Sequence, residues 1–223
     1  MLSQDSWAFL LDVDNTLLDN DRFASDLSAR LEQDFGAAEC QRYWTLYGEL
    51  RQQRGYADYL GALQAFRSGC GSPSALLHMA GFMLDYPFQA RLYPQALAVI
   101  DHLHKQGTTA IVSDGDVVFQ PRKIQRCGLW DAVAGRVLVC LHKEREVEAI
   151  LQRFPAQHYV MVDDKPLLLA ALKRQLGTRL TSVFVRQGHY AAEANGQVID
   201  PPPDLTLARI GELCRLQRAD FPS

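Results

Sequence analysis

The 223-residue chain alternates short apolar runs, three of which end at or beside acidic residues, with amphipathic stretches. Residues 7–13 (WAFLLDV), 108–114 (TTAIVSD), 158–164 (HYVMVDD) and 179–185 (RLTSVFV) are runs of this sort, and 135–139 (GRVLV) is a shorter fifth. Each suits a buried parallel strand that delivers side chains at its carboxyl end. Between them, residues 94–106 put Leu97, Ile100 and Leu103 on one helical face, and 146–154 do the same with Val147, Ile150, Leu151 and Phe154. Alternating β and α units imply an α/β fold, a Rossmann-like open parallel sheet flanked by helices with right-handed crossovers. After Pro201, Pro202 and Pro203, residues 205–217 are expected to form a last helix.

Residues 17–92 break the pattern. They hold helical segments near 20–35, 37–53, 56–68 and 73–85, punctuated by Gly36, Gly55 and the cluster Gly69-Cys70-Gly71-Ser72-Pro73. About seventy residues is too long for a loop, so an all-helical cap domain is expected after the first strand. The expected division is a core of 1–16 and 94–223 and a cap of 17–93, with linkers near 17–20 and 88–94. A formal net charge of −3 offers no footprint for nucleic acid or anionic lipid, which leaves a small molecule as the expected partner. Cys40, Cys70, Cys127, Cys140 and Cys214 have no metal-ligand spacing and read as reduced thiols. With no basic, cleavable leader at the N-terminus and no apolar run of membrane-spanning length, the expected location is cytoplasmic.

Asp12 and Asp14, at i and i+2, project to the same side at the end of the first strand. Alone they read equally as solvated turn residues. Two other strands end in Ser113-Asp114 and Asp163-Asp164, however, and open α/β sheets bind ligands outside the carboxyl ends of their strands. Carboxylates gathered at the mouth of a low-dielectric sheet repel one another unless a cation joins them, and an all-oxygen set without nearby His or Cys favours Mg2+. Lys143 follows the short strand; by itself it reads as a surface charge.

In this order the residues resemble the haloacid dehalogenase-like superfamily. Asp12-Val13-Asp14-Asn15-Thr16-Leu17 is similar to its first motif, DxDx[TV], Ser113 to its second, Lys143 to its third and Asp163-Asp164 to its acidic fourth. Leu92-Tyr93-Pro94 and Cys127-Gly128-Leu129 also resemble its connecting segments. The resemblance implies a phosphatase-type hydrolase of small phosphate monoesters. In it Asp12 is the nucleophile, Asp14 the general acid and base, and Ser113 and Lys143 hold the phosphoryl oxygens. It also implies a Mg2+ site formed by Asp12, Asp14 (through its carbonyl), Asp163 and Asp164. Lys123 and Lys165 rival Lys143 for the lysine role, and Lys143 is preferred for its distance before the acidic pair.

Phosphomutase chemistry stays open as an alternative. Haloacid dehalogenation, which requires neither Asp14 nor the acidic pair, and a non-catalytic binding protein on this scaffold are further alternatives. Phosphonate cleavage through a cap lysine is disfavoured because residues 17–93 contain no lysine. Asn15, Thr16, Asp114, Arg51 and Arg54 are candidate substrate contacts, with Tyr43, Trp44, Tyr47 and Tyr56 as aromatic surface or cap core. His102 and His104 read as structural or surface residues. The expected partner is a small phosphorylated metabolite, bound by a monomer or homodimer.

Overall fold

The computed structural model describes residues 6–222. Its centre is a six-stranded parallel sheet of β1 (Trp7–Leu11), β2 (Thr108–Asp114), β3 (Val137–Cys140), β4 (His158–Asp163), β5 (Leu180–Val185) and β6 (Leu205–Leu207), in the order β3-β2-β1-β4-β5-β6. The chain builds β1, β2 and β3 outward on one side, then returns to the middle and builds β4, β5 and β6 on the other. The crevice where this order reverses lies between β1 and β4, where such sheets bind ligands.

The central strands are apolar in their middles because both faces are covered, with polar residues of β2 and β4 at their ends. Phe9 and Leu11 of β1 enter one core, with Val160 and Val162 of β4; Ala8 and Leu10 enter the other, with Val112, Tyr159 and Met161. On the first face pack α5 (Ala96–His104), α6 (Phe119–Arg126) and α7 (Leu129–Ala132); on the second, α8 (Val147–Arg153) and α9 (Pro166–Leu176). In α5 the buried face is Ala96, Val99, Ile100 and Leu103, so Leu97, expected there, is instead 40% exposed. The short α10 (Gly188–Glu193) follows β5.

Residues 205–217 do not form the expected helix. They form the edge strand β6 and a 3-10 turn over Ile210–Arg215. The Asp204 carboxylate accepts from the amide and hydroxyl of Ser182 and from Lys173 Nζ at 2.7–2.8 Å, which sets the segment beside β5 in register Val183↔Leu205.

Between β1 and β2 lie α1 (Asn20–Phe35), α2 (Ala37–Arg54), α3 (Tyr59–Phe66) and α4 (Pro73–Asp85). Their starts follow capping chemistry: Asp19, Asp58 and Ser72 accept from Arg22 N, Gly61 N and Ala75 N. Gly55 ends α2 in the left-handed conformation. Phe23, Leu27, Tyr43, Phe66, Met79 and Met83 from these helices join the same apolar cluster as Phe9 and Leu11. Where the chain leaves and rejoins the sheet, the two segments pair: Asp19 N donates to Arg91 O at 2.8 Å and Tyr93 N to Leu17 O at 2.9 Å. Among the described residues no helix is long and apolar enough to cross a membrane.

Candidate active site

Asp12 is the first residue past β1, and its amide extends the sheet by donating to Val162 O at 3.0 Å. The chain then winds tightly: Val13 O accepts from the amides of Thr16, Leu17 and Leu18, and Asn15 takes φ 59°. Asparagine tolerates that left-handed conformation. Its side-chain oxygen accepts from the first-turn amides Asn20 N and Asp21 N, so the turn also caps α1.

This winding sends the two acids of the motif to different partners. Asp12 is buried, and its Oδ1 receives Lys143 Nζ at 2.5 Å and Ser113 Oγ at 3.4 Å, while Oδ2 receives Thr16 Oγ1 at 3.3 Å. Asp14 turns toward α6: Lys123 Nζ donates to both of its oxygens at 2.8 Å, and Gln120 Nε2 approaches at 3.4 Å. Gln120 Nε2 also donates to Ser113 Oγ at 2.9 Å, which leaves that hydroxyl's proton for Asp12. Fully buried, Lys123 also donates to Asn20 Oδ1 at 3.0 Å, with the rings of Phe119, Tyr59 and Phe88 within 6 Å.

Lys143 is fully buried too, and its Nζ bridges Asp12 and Asp163, the latter at 2.7 Å. Its amide donates to Asp114 Oδ1 at 2.9 Å, tying the end of β2 to the loop after β3. Burial pulls the Lys143 ammonium down, but Asp12, Asp163 and Asp114 outweigh it and hold the group well above the usual lysine range. Burial pushes Asp163 up against the opposing pull of Lys143. Asp164 is pushed up further, by burial first and then by Asp163 and Asp12.

Both Asp164 oxygens are buried without a hydrogen-bond partner among the described residues, and Asp12, Asp163 and Asp164 offer oxygens within 4.8 Å of one another. Orphaned carboxylate oxygens are costly in a native fold. Burial and mutual repulsion disfavour the charged forms of Asp163 and Asp164, and a bound dication would offset both effects. The all-oxygen set therefore fits a hard divalent ion. The Asp14 carboxylate faces away from this group; only its carbonyl remains for a metal role.

Above the cluster opens a cavity of about 350 Å³ lined by Asp12, Asp14 and Ser113 below and by Trp44, Tyr47 and Arg51 of α2 above. Asn15, Asp114, Lys165, His189 and Tyr190 also line it, as do Tyr56 and Tyr59 on the helical side. Arg54 instead pairs with Asp58, the N-cap of α3, and does not line the cavity. Thr16 is buried behind Asp12. Tyr43 is buried in the helical core with its hydroxyl on Tyr59 O. His102 Nε2 donates to Leu216 O at 2.7 Å, and His102 does not line the cavity. Gln120, His189 and Tyr190 escaped the sequence reading. Gln120 shares a face of α6 with Lys123 at i and i+3, a legible signal, whereas α10 had none.

An open parallel α/β sheet with this strand order and an aspartate, serine, lysine and paired aspartates at its carboxyl edge defines a hydrolase class. The match to the family model for haloacid dehalogenase-like hydrolases spans residues 8–174, and the chain belongs to that family. It is 52% identical to a haloacid dehalogenase-like hydrolase of Burkholderia xenovorans over 96% of this chain and 99% of that one, with a TM-score of 0.89. More distant structures share the fold. The HAD-hydrolase YfnB of Bacillus subtilis, solved with bound magnesium, is 17% identical over 96% and 100% of the two chains, with a TM-score of 0.63. An L-2-haloacid dehalogenase is 22% identical over 94% and 98%, with a TM-score of 0.62. No curated protein sequence matches.

Proposed function

We propose that this hydrolase cleaves small phosphate monoesters with Mg2+ as cofactor, through an aspartyl-phosphate on Asp12. The observation that carries the reading is the division between the two acids of the first motif. Asp12 sits among the close carboxylates of Asp163 and Asp164, and Asp14 stands on the cavity wall outside that group.

When bound by Asp12, Asp163 and Asp164, Mg2+ would supply charge to offset the phosphoryl oxygens. The chain's own groups do the rest. Lys143 orients the Asp12 carboxylate and, with Ser113, offers donors to the transferring group. An Asp12 oxygen attacks phosphorus; the bond from phosphorus to the ester oxygen breaks, and that oxygen leaves with the electron pair and takes a proton from Asp14. A water then attacks phosphorus and gives its proton to Asp14, the Asp12–phosphorus bond breaks, and inorganic phosphate and free Asp12 are released. Gln120 and Lys123 position Asp14 for both proton transfers. The helices α1–α4 act as a cap that shields the site from water, moving on the paired segments 17–19 and 91–93.

The test is phosphate release from a panel of monoesters with and without Mg2+, for the wild type and Asp12→Asn. Metal-dependent release that disappears in the variant is expected; release that survives Asp12→Asn would overturn the reading.

A further inference from the structure

Most charges around the cavity are matched at contact distance. Lys123 neutralises Asp14, Lys143 spans Asp12 and Asp163, Arg54 pairs with Asp58, and His189 bonds to Asp21. Two cations on the rim are not. Lys165, half-buried at the start of α9, makes no hydrogen bond or ion pair at contact distance from its ammonium among the described residues, although Asp163, Asp12 and Asp114 favour its charge from further off; it rests 5.1 Å from the ring centroid of Tyr190. Arg51, exposed on α2 at the opposite wall, meets the Tyr190 hydroxyl and lies 5.7 Å from the same centroid, with no carboxylate at ion-pair distance among the described residues.

Arg51, Lys165 and Tyr190 line one cavity, so an anion entering it meets two positive groups that no carboxylate contacts directly among the described residues. The transferring phosphoryl group already has donors in Lys143 and Ser113 beside Asp12. Arg51 projects from the helical side, where the leaving group would lie. Its planar guanidinium suits a two-oxygen anion, and Lys165 adds a point charge from the core side. Trp44 and Tyr47 leave the rest of that wall apolar.

We infer that the substrate carries a second anionic group on its leaving-group end, a carboxylate or a second phosphate, gripped by Arg51 and Lys165 across Tyr190. This rests on the phosphatase reading above and names the class of ester within it. Arg51 and Lys165 are specificity determinants; neither takes part in the proton transfers.

Matched pairs test it: 3-phosphoglycerate against glycerol 3-phosphate, 4-carboxyphenyl phosphate against phenyl phosphate, and fructose 1,6-bisphosphate against fructose 6-phosphate, each with Mg2+. The doubly anionic member of at least one pair should have a kcat/KM about tenfold or more above its partner, mainly through KM, as a charge-assisted contact implies. The pair that shows it separates carboxylate from phosphate. Arg51→Gln and Lys165→Met should each bring that ratio toward one, and Arg51→Lys should retain part of it. Equal kcat/KM within every pair, or a preference that survives Arg51→Gln, overturns this inference and leaves the phosphatase reading intact. Release from no member of any pair overturns both.

Discussion

Two fully buried lysines divide the electrostatics of this site. Lys143 holds together carboxylates that would otherwise repel, and Lys123 holds one carboxylate against the capped start of α1. Lys143→Met should abolish turnover. Lys123→Met should lower kcat about a hundredfold with little change in KM, because a displaced general acid forfeits proton transfer while binding persists. Steady-state kinetics on one hydrolysed monoester would check both; an equal loss in KM for Lys123→Met would contradict a positioning role. Asp12 and the acidic pair were legible in the sequence because they sit at the ends of apolar runs that an open sheet brings together, whereas Ser113 and Lys143 were picked out by the resemblance to the family's motifs and alone read as a turn hydroxyl and a surface charge. Lys165 and Tyr190 were not legible as partners. Their meeting depends on how α9 and α10 lean over the sheet edge, which periodicity does not encode.

At the scale of elements, the joint between the first motif and α10 carries the most constraint. Gly188 has φ +68°, and a Cβ there would stand 2.5 Å from the Asn15 side chain. Asn15 in turn caps α1 and bonds to Asp21, which accepts from His189. Gly188→Ala should therefore destabilise the fold by more than about 1 kcal/mol, through both the backbone conformation and the clash. Asp19→Ala, which removes a simple N-cap from α1, should cost about 1 kcal/mol. Urea midpoints would measure both, and a neutral Gly188→Ala would show that the joint yields. The segments 20–35, 37–53 and 73–85 were readable as helices because glycine, serine and proline marks bound them. The stretch after Pro203 misled: Leu207, Ile210 and Leu213 recur at helical spacing, but Leu205 and Leu207 alternate as a strand does, and an available sheet edge beside β5 and the Asp204 anchor favour that.

For the whole molecule, stability and chemistry should titrate at opposite ends of the sheet. His158, at the amino end of β4, is buried against Trp7 with ring centroids 4.3 Å apart and meets Thr181 Oγ1 at 2.8 Å. Burial, aided by Lys173, lowers its pKa below 6.5. The unfolded chain then binds the extra proton first, so this contribution is complete above about pH 6.5 and is lost as the pH falls below it. The buried Asp163 and Asp164 act with the opposite sign in the metal-free protein: their raised values favour the folded state on acidification. Comparing the wild type with His158→Gln cancels the carboxylates. Their difference in unfolding free energy should shrink between pH 7.5 and pH 5, and a constant difference would contradict the assignment to His158. The general architecture was legible because strand and helix signals alternate. Which helix face covers which side of the sheet follows from packing that only the folded molecule shows.

Single turnover in 18O-labelled water tests most directly the chemistry proposed for Asp12. If water opens an aspartyl-phosphate by attacking phosphorus, hydrolysis of 4-nitrophenyl phosphate puts the label into inorganic phosphate and leaves Asp12 unlabelled in peptide mass spectra. If the protein instead displaces halide from a 2-haloacid, water attacks the carboxyl carbon of the resulting Asp12 ester, and the label enters Asp12. Label in phosphate with Mg2+ present is the expected result; label in Asp12 after incubation with 2-chloropropionate, with no phosphate released from the monoester, would contradict it.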